Sequence, residues 1–483
     1  MDHKTQMILD YFEQINRIPR CSKNEQKIAA WLTAWAKNKG FDTRSDACGN
    51  LVIVVPASKG YESAPTIVLQ GHMDMVCEKR PETQHNFKTD PIKNIINGDW
   101  LQADGTSLGA DNGLAVALTL VLVSDDSVNH PKLELLFTVD EETGLIGANQ
   151  LDAKMLSGRI LINIDSEDEG IFTIGCAGGI NTAIDLAINQ IPVNEQDSLI
   201  KISVAGLRGG HSGIDINKGR ANANKIMSRL LFKVLEKLTF RLISFNGGST
   251  HNAIARDAEA MVALNPDQLS ALKQIIADLE KKLRAEFSSI ENDLTIKVTV
   301  ISDPDDQLNS ADDADTRKIV NLLTALPHGV DRMSMEAKGL VDTSSNFATV
   351  SFSKKGLHIL TSQRSVFTSR MEEIFQQVAA VARLAGASVK TDSAYPAWQP
   401  KRDSVLLKRC RETYQALFKS RPIVEIIHAG LECAVIGDKY PDMDMISIGP
   451  TMKNPHSPDE RLYIPSIAKL WNFLVALMAS YKE

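Results

Sequence analysis

No CxxC pair, no Lys/Arg-dense stretch and no charge-free apolar leader occurs in this 483-residue sequence. Its six cysteines (Cys21, Cys48, Cys77, Cys176, Cys410 and Cys433) are scattered, which predicts reduced thiols in a cytoplasmic protein and offers no obvious zinc ligand. A net charge of -7, with no basic patch to offset it, argues against a nucleic-acid partner. The opening MDHKTQMILDYFEQI interleaves charges with apolar residues, so it reads neither as a signal peptide nor as a membrane span. No low-complexity linker and no residue-by-residue repeat divides the chain. What is present, 43% hydrophobic and 23% charged residues, is the composition of a globular protein with room for two or three domains.

Short continuous apolar runs (LVIVV at 51–55, TIVLQ at 66–70, RILINI at 159–164) alternate with helical patterns, as in strands covered on both faces. Thr5 to Asn16 and the segment after Ser22 read as helices, the second with Ser22 and Glu25 as a capping box. From about Ala183 the strands become alternating (TIKVTVIS), with one face solvated and a weak internal duplication of the pattern. After Pro396 and Pro400 the first style returns. The expected fold is α/β, a mixed, mostly parallel sheet flanked by helices, with an inserted α+β lid domain. The expected divisions are 1–182 and 397–483 for the sheet domain and 183–396 for the insertion.

Chemistry-bearing residues gather where strands end. His72 and Asp74 follow the apolar run at 66–70, Glu141 and Glu142 follow LELLFTV, Asp165 follows RILINI, Asp111 opens an apolar helix, and His456 follows MDMISIG. Singly each position is ordinary, a cap, a solvated acid or a hydrogen-bonded histidine. Together they converge, because loops at the carboxyl ends of the strands form the sites of open α/β sheets. Two histidines and several carboxylates without a thiolate suit Zn, Co or Mn. Their number fits two metals, about 3.5–4 Å apart, sharing a carboxylate and a water. Asp74, two residues beyond His72 on an extended segment, is placed to hold the imidazole from behind. Adjacent residues of an extended chain point oppositely, so Glu141 and Glu142 are expected to divide the work, one at the metal and one at the water.

The motifs GHMDMV, GADNG, DEETGLIGA, NIDSE, GGHSG and NPHSP, in this order, resemble the dinuclear zinc peptidases, a family that includes aminoacylases, carnosinases and acetylornithine deacetylases. The stretches GGSTHNAIARDA, TSQRSVFTSR and HAGLECAVIGDKYPDMDMISIGP resemble its dipeptidase group. The resemblance implies two Zn²⁺ per subunit, with Co²⁺ or Mn²⁺ as substitutes. Asp111 would bridge them, His72 and Asp165 would complete one site, and Glu142 and His456 the other. It implies Glu141 as general base, Asp74 behind His72, and a cis peptide after Asp111. In the lid it implies His211 at the scissile carbonyl, Asn252 and Arg364 on the substrate, and a backbone contact from Gly430; His251 and His428 are left open. The implied activity is hydrolysis of dipeptides with free termini, Xaa-His dipeptides such as carnosine among them, by a hydroxide between the metals. An N-acyl-amino-acid deacylase of the same architecture is the alternative. No membrane partner is expected, and a homodimer is left open.

Overall fold

Runs with apolar residues on both faces need cover on both faces, and they receive it. In the computed structural model, which describes residues 1–302, 308–335, 339–401 and 403–482, Ile67–His72, Leu133–Thr138 and Asp444–Ile448 are strands buried along their whole length. With Ile160–Ile164 they pair in parallel, in the order Leu133–Thr138, Ile67–His72, Ile160–Ile164, Asp444–Ile448. Antiparallel strands extend both sides (Asp42–Ser45 and Leu51–Val55 on one, Ile171–Cys176 on the other), and Ile423–Ile427 follows Ile171–Cys176 at the edge, giving a mixed eight-stranded sheet. The register sets His72 beside Thr138 and Gln70 beside Asn163, so the carboxyl ends of the parallel strands share one rim. The helix Ala110–Ser124 is apolar nearly all round and is correspondingly buried. It joins His3–Asn16 and Ile464–Ala479 in one core with Phe12, Leu118, Phe137 and Leu474.

The chain forms two units: Met1–Cys176 with Trp398–Ile426 and Leu431–Glu483, and Ala177–Ala397 with Ile427–Gly430. The four residues 427–430 thus group with the second unit, a return the expected division at 397 did not include. The second unit is an antiparallel sheet in the order Thr295–Ile301, Ser198–Ala205, Ala258–Leu264, Phe240–Gly247, Val341–Ser353, Gly356–Ser365, Gly178–Leu186, Ser388–Tyr395. One ladder passes through both halves of the supposed duplication. The helices Ala223–Leu235, Asp313–Ala325 and Thr368–Leu384 pack on this sheet.

Two local expectations fail for physical reasons. The capping box at Ser22 does not form: Ser22 Oγ donates to Asp74 Oδ2 at 2.7 Å, and Glu25 Oε1 accepts the amides of Lys23 (2.8 Å) and Asp140 (3.0 Å). Cys21 and Cys77 are joined in a disulfide, against the expectation that all six thiols are free. A bridge pairing Cys21 with Met75 brings them together across a separation of 56 residues that carries no spacing signal. Cys48, Cys176, Cys410 and Cys433 take no part in the disulfide. Among the described residues no helix is long and apolar enough to cross a membrane.

Candidate metal centre

His72 is the last residue of its strand and is buried on the rim of the sheet. Its Nδ1 lies 3.3 Å from Asp74 Oδ1, which leaves Nε2 to face forward. Asp74 is fully buried and also accepts the amides of Glu141 (3.1 Å) and Glu142 (3.3 Å). One carboxylate therefore fixes both the imidazole of one strand end and the turn of the next.

Asp111 sits at a break in its helix, with non-helical backbone at Asp111 and Asn112 and a cis bond between them, as expected. The break is held from two sides. Asn112 Nδ2 donates to Ile164 O (2.6 Å) and Asn112 Oδ1 accepts from His72 N (3.2 Å), tying the helix start to two strand ends. A Cβ at Gly71 would lie 2.2 Å from Asn112 Oδ1, so only glycine lets the amide in. Before the break, the Glu460 carboxylate accepts four successive amides, those of Leu108 (2.7 Å), Gly109 (2.9 Å), Ala110 (2.8 Å) and Asp111 (3.2 Å). Arg20, buried, donates to Met73 O (3.2 Å), Asp74 O (3.0 Å) and Gly109 O (2.6 Å) and so links the His72 loop to the same strap.

Glu141 and Glu142 do not lie on extended chain. Asp140 adopts φ 51°, and the amides of Gly144 and Leu145 close onto Glu141 O, so the segment is a tight turn. Both carboxylates consequently approach from one side: His72, Glu141 and Glu142 each bring a ligand atom within 4.8 Å of the others. The opposed-face argument for dividing their roles is corrected by this turn.

The remaining groups close around Asp111. His72 Nε2 is 3.1 Å from Asp111 Oδ1 and 3.5 Å from Asp165 Oδ1. His456 Nε2 is 3.1 Å from Asp111 Oδ2 and 3.0 Å from Glu142 Oε2. Each oxygen of Asp111 thus serves a different histidine–carboxylate pair, and both triads have metal-binding proximity. The electrostatics fit a cation. Burial, and then neighbouring carboxylates, push Glu141 well up and raise Glu142 and Asp165. Burial opposes charge on His456, yet Asp111 and Glu142 outweigh it and push its pKa up to about 12. Glu142 Oε1 is buried without a hydrogen-bond partner. Crowded acids, histidines aimed at them and an orphaned oxygen are what a ligand set for divalent metal presents.

The second unit carries the other expected residues. His211 Nδ1 accepts the amides of Gly213 (3.2 Å) and Ile214 (3.1 Å), which puts the neutral ring's proton on Nε2. His211 pairs with Ala253 in a two-stranded ladder, and Asn252 O accepts from Ser212 N at 2.7 Å, so His211 and Asn252 share one small framework. Arg364 is only 7% exposed, its Nη1 donates to the Tyr395 hydroxyl, and its Nε has no partner. Among the described residues no carboxylate ion-pairs with it. His428 stands 2.7 Å from Ser344 Oγ through Nε2, its pKa driven down to about 3 by burial and then by Arg364. Sequence reasoning missed Arg20, Glu460 and Tyr395: each acts on a residue distant in the chain. Glu460 alone left a trace, four residues after His456 in NPHSPDE.

Imidazoles and carboxylates gathered at the rim of a mixed sheet define a metallohydrolase site, and residues 68–480 match the model for peptidase family M20/M25/M40; the chain belongs to that family. Its relatives include the cytosol non-specific dipeptidase of Escherichia coli (strain K12), 41% identical over 473 residues and covering 98% of this chain and 97% of that one. The crystal structure of aminoacylhistidine dipeptidase from Vibrio alginolyticus superposes with a TM-score of 0.84 at 38% identity, over 99% of this chain and 98% of that chain. A tripeptidase from Staphylococcus aureus subsp. aureus mu50 shares the fold alone, with a TM-score of 0.58 at 17% identity over 99% and 98% of the two chains.

Proposed function

We propose that this chain is a metal-dependent dipeptidase acting on dipeptides with free termini, Xaa-His dipeptides such as carnosine among them. The observation that carries the reading is Asp111, whose two oxygens face two separate histidine–carboxylate pairs. We assign Asp111, His72 and Asp165 to one zinc ion and Asp111, Glu142 and His456 to a second. When bound, such a pair supplies a water acidified toward neutral pH and a Lewis acid for the peptide carbonyl. Glu141, whose carboxyl burial holds well above its usual range, takes the water's proton and returns it to the departing amine. Asp74 keeps the His72 ring oriented and more basic.

In the second unit, Arg364 is assigned the substrate's terminal carboxylate. A buried guanidinium without an acidic partner among the described residues is suited to a carboxylate brought by a ligand. His211, with its proton on Nε2, is assigned as a donor to the carbonyl oxygen, and Asn252 and the Gly430 backbone as further substrate contacts. A cytoplasmic location is carried over from the Escherichia coli relative's name.

The experiment is a panel of carnosine, other dipeptides, tripeptides and N-acetyl-amino acids, each with zinc, cobalt and manganese. Dipeptides should dominate; faster turnover of N-acetyl-amino acids would replace this reading with a deacylase. Arg364→Ala should raise KM by about 10–100-fold, the loss expected of a charge-assisted bidentate contact, with metal content unchanged. An unaltered KM would remove Arg364 from the substrate site.

A further inference from the structure

We infer that Tyr395 is a positioning residue that orients the Arg364 guanidinium and thereby sets the demand for a free carboxyl terminus in the substrate. The inference rests on the proposed role of Arg364 and adds a residue to it.

Strand pairing brings the partners together. Within Gly356–Ser365, Arg364 lies opposite Ser344 on one side and Gly179 on the other. Tyr395, the last residue of Ser388–Tyr395, pairs with the same Gly179 from the opposite edge. The ladder is irregular between Asp392 and Tyr395, and such an irregularity re-aims the side chain that follows it.

The ring occupies a slot that side chains would close. A Cβ on Gly179 would lie 2.6 Å from the ring, and one on Gly430 would lie 2.8 Å from its far edge. Gly430 therefore has a reason for being glycine that is independent of any contact with substrate. Held there, the phenol oxygen accepts from Arg364 Nη1 at 2.5 Å. Arginine has five donors and no acceptor, so a phenol oxygen can fix it without neutralising it. A carboxylate at this place would satisfy the charge and compete with a ligand.

The rest of the fork stays available. Arg364 Nε is buried and unpartnered, and the other near neighbour, Ser344, has its hydroxyl on the neutral His428. A long side chain that is already aimed loses less freedom when it engages a planar carboxylate, which is where affinity from preorganisation arises. The chemical class selected is a carboxylate at the end of a short peptide, over the corresponding amide or ester.

The test compares wild type and Tyr395→Phe on one dipeptide and on its C-terminal amide, with bound metal and thermal midpoint measured on each protein. Phenylalanine keeps the ring in its slot and removes only the hydroxyl. The expected result is a KM for the free acid raised about tenfold, kcat unchanged, and the acid-over-amide preference reduced by the same factor. Gly430→Ala, which displaces the ring, should move KM and preference in the same direction. An unchanged preference in Tyr395→Phe, where wild type discriminates, overturns the inference and leaves the Arg364 assignment standing. A wild-type enzyme indifferent to acid and amide sinks the Arg364 assignment, and this inference with it. A kcat loss with KM unchanged also overturns it, because a residue acting through Arg364 acts on binding.

Discussion

Glu141→Gln should retain its full complement of bound metal and hydrolyse a dipeptide about 10²–10⁴-fold more slowly than the parent protein, the loss expected when a general base is removed. The exchange preserves size and hydrogen-bonding shape and removes only the ability to hold a proton. Glu141 shares the rim with His72 and Glu142 but makes no short contact with either histidine comparable to those of Asp111 and Glu142. Its turn is held by Asp74 through the backbone amides of Glu141 and Glu142, so the substitution leaves that geometry in place. Metal analysis and turnover on one preparation decide the matter. Near-normal turnover would remove Glu141 from proton transfer, and lost metal would make it a ligand instead.

Asp111→Ala should release metal, with activity falling in parallel and returning only partly at high metal concentration. Its two oxygens lie 3.1 Å from His72 Nε2 and from His456 Nε2, so its removal opens both triads at once. Glu460→Ala is the graded counterpart. It leaves every proposed ligand intact but orphans the amides of Leu108, Gly109, Ala110 and Asp111, the first three buried and each of those a loss of about 1–3 kcal/mol that local rearrangement would lessen. Faster transfer of metal to a chelator, ahead of any change in substrate KM, is the expected signature. Equal retention in both variants and the parent would show that the metal is held elsewhere.

Much of the site was legible because strand ends can be located from sequence. A run such as TIVLQ must be covered on both faces, and the residue that follows it lies at a rim. His72, Asp165 and His456 were expected at the rim on this ground, and the parallel register places the strands they end or follow side by side. Glu141 and Glu142 were placed at the rim too, but their relation was misjudged, because a left-handed residue at Asp140 turns both to one side and an extended chain would not. The Ser22–Glu25 pattern was a sound local signal that lost to tertiary demand. The amides of Glu141 and Glu142 require Asp74, and Asp74 in turn takes the hydroxyl of Ser22.

The residue types and their order along the chain determined by themselves that two imidazoles and several carboxylates would line one rim of an α/β sheet, because apolar runs dictate strands and strands dictate where loops gather. Only the tertiary structure decided how those groups are held: Glu460 on the strap before Asp111, Arg20 between two loops, Tyr395 in a slot between two glycines, and Cys21 joined to Cys77. Each of these contacts joins residues far apart in sequence, so its energy depends on packing that no local pattern encodes.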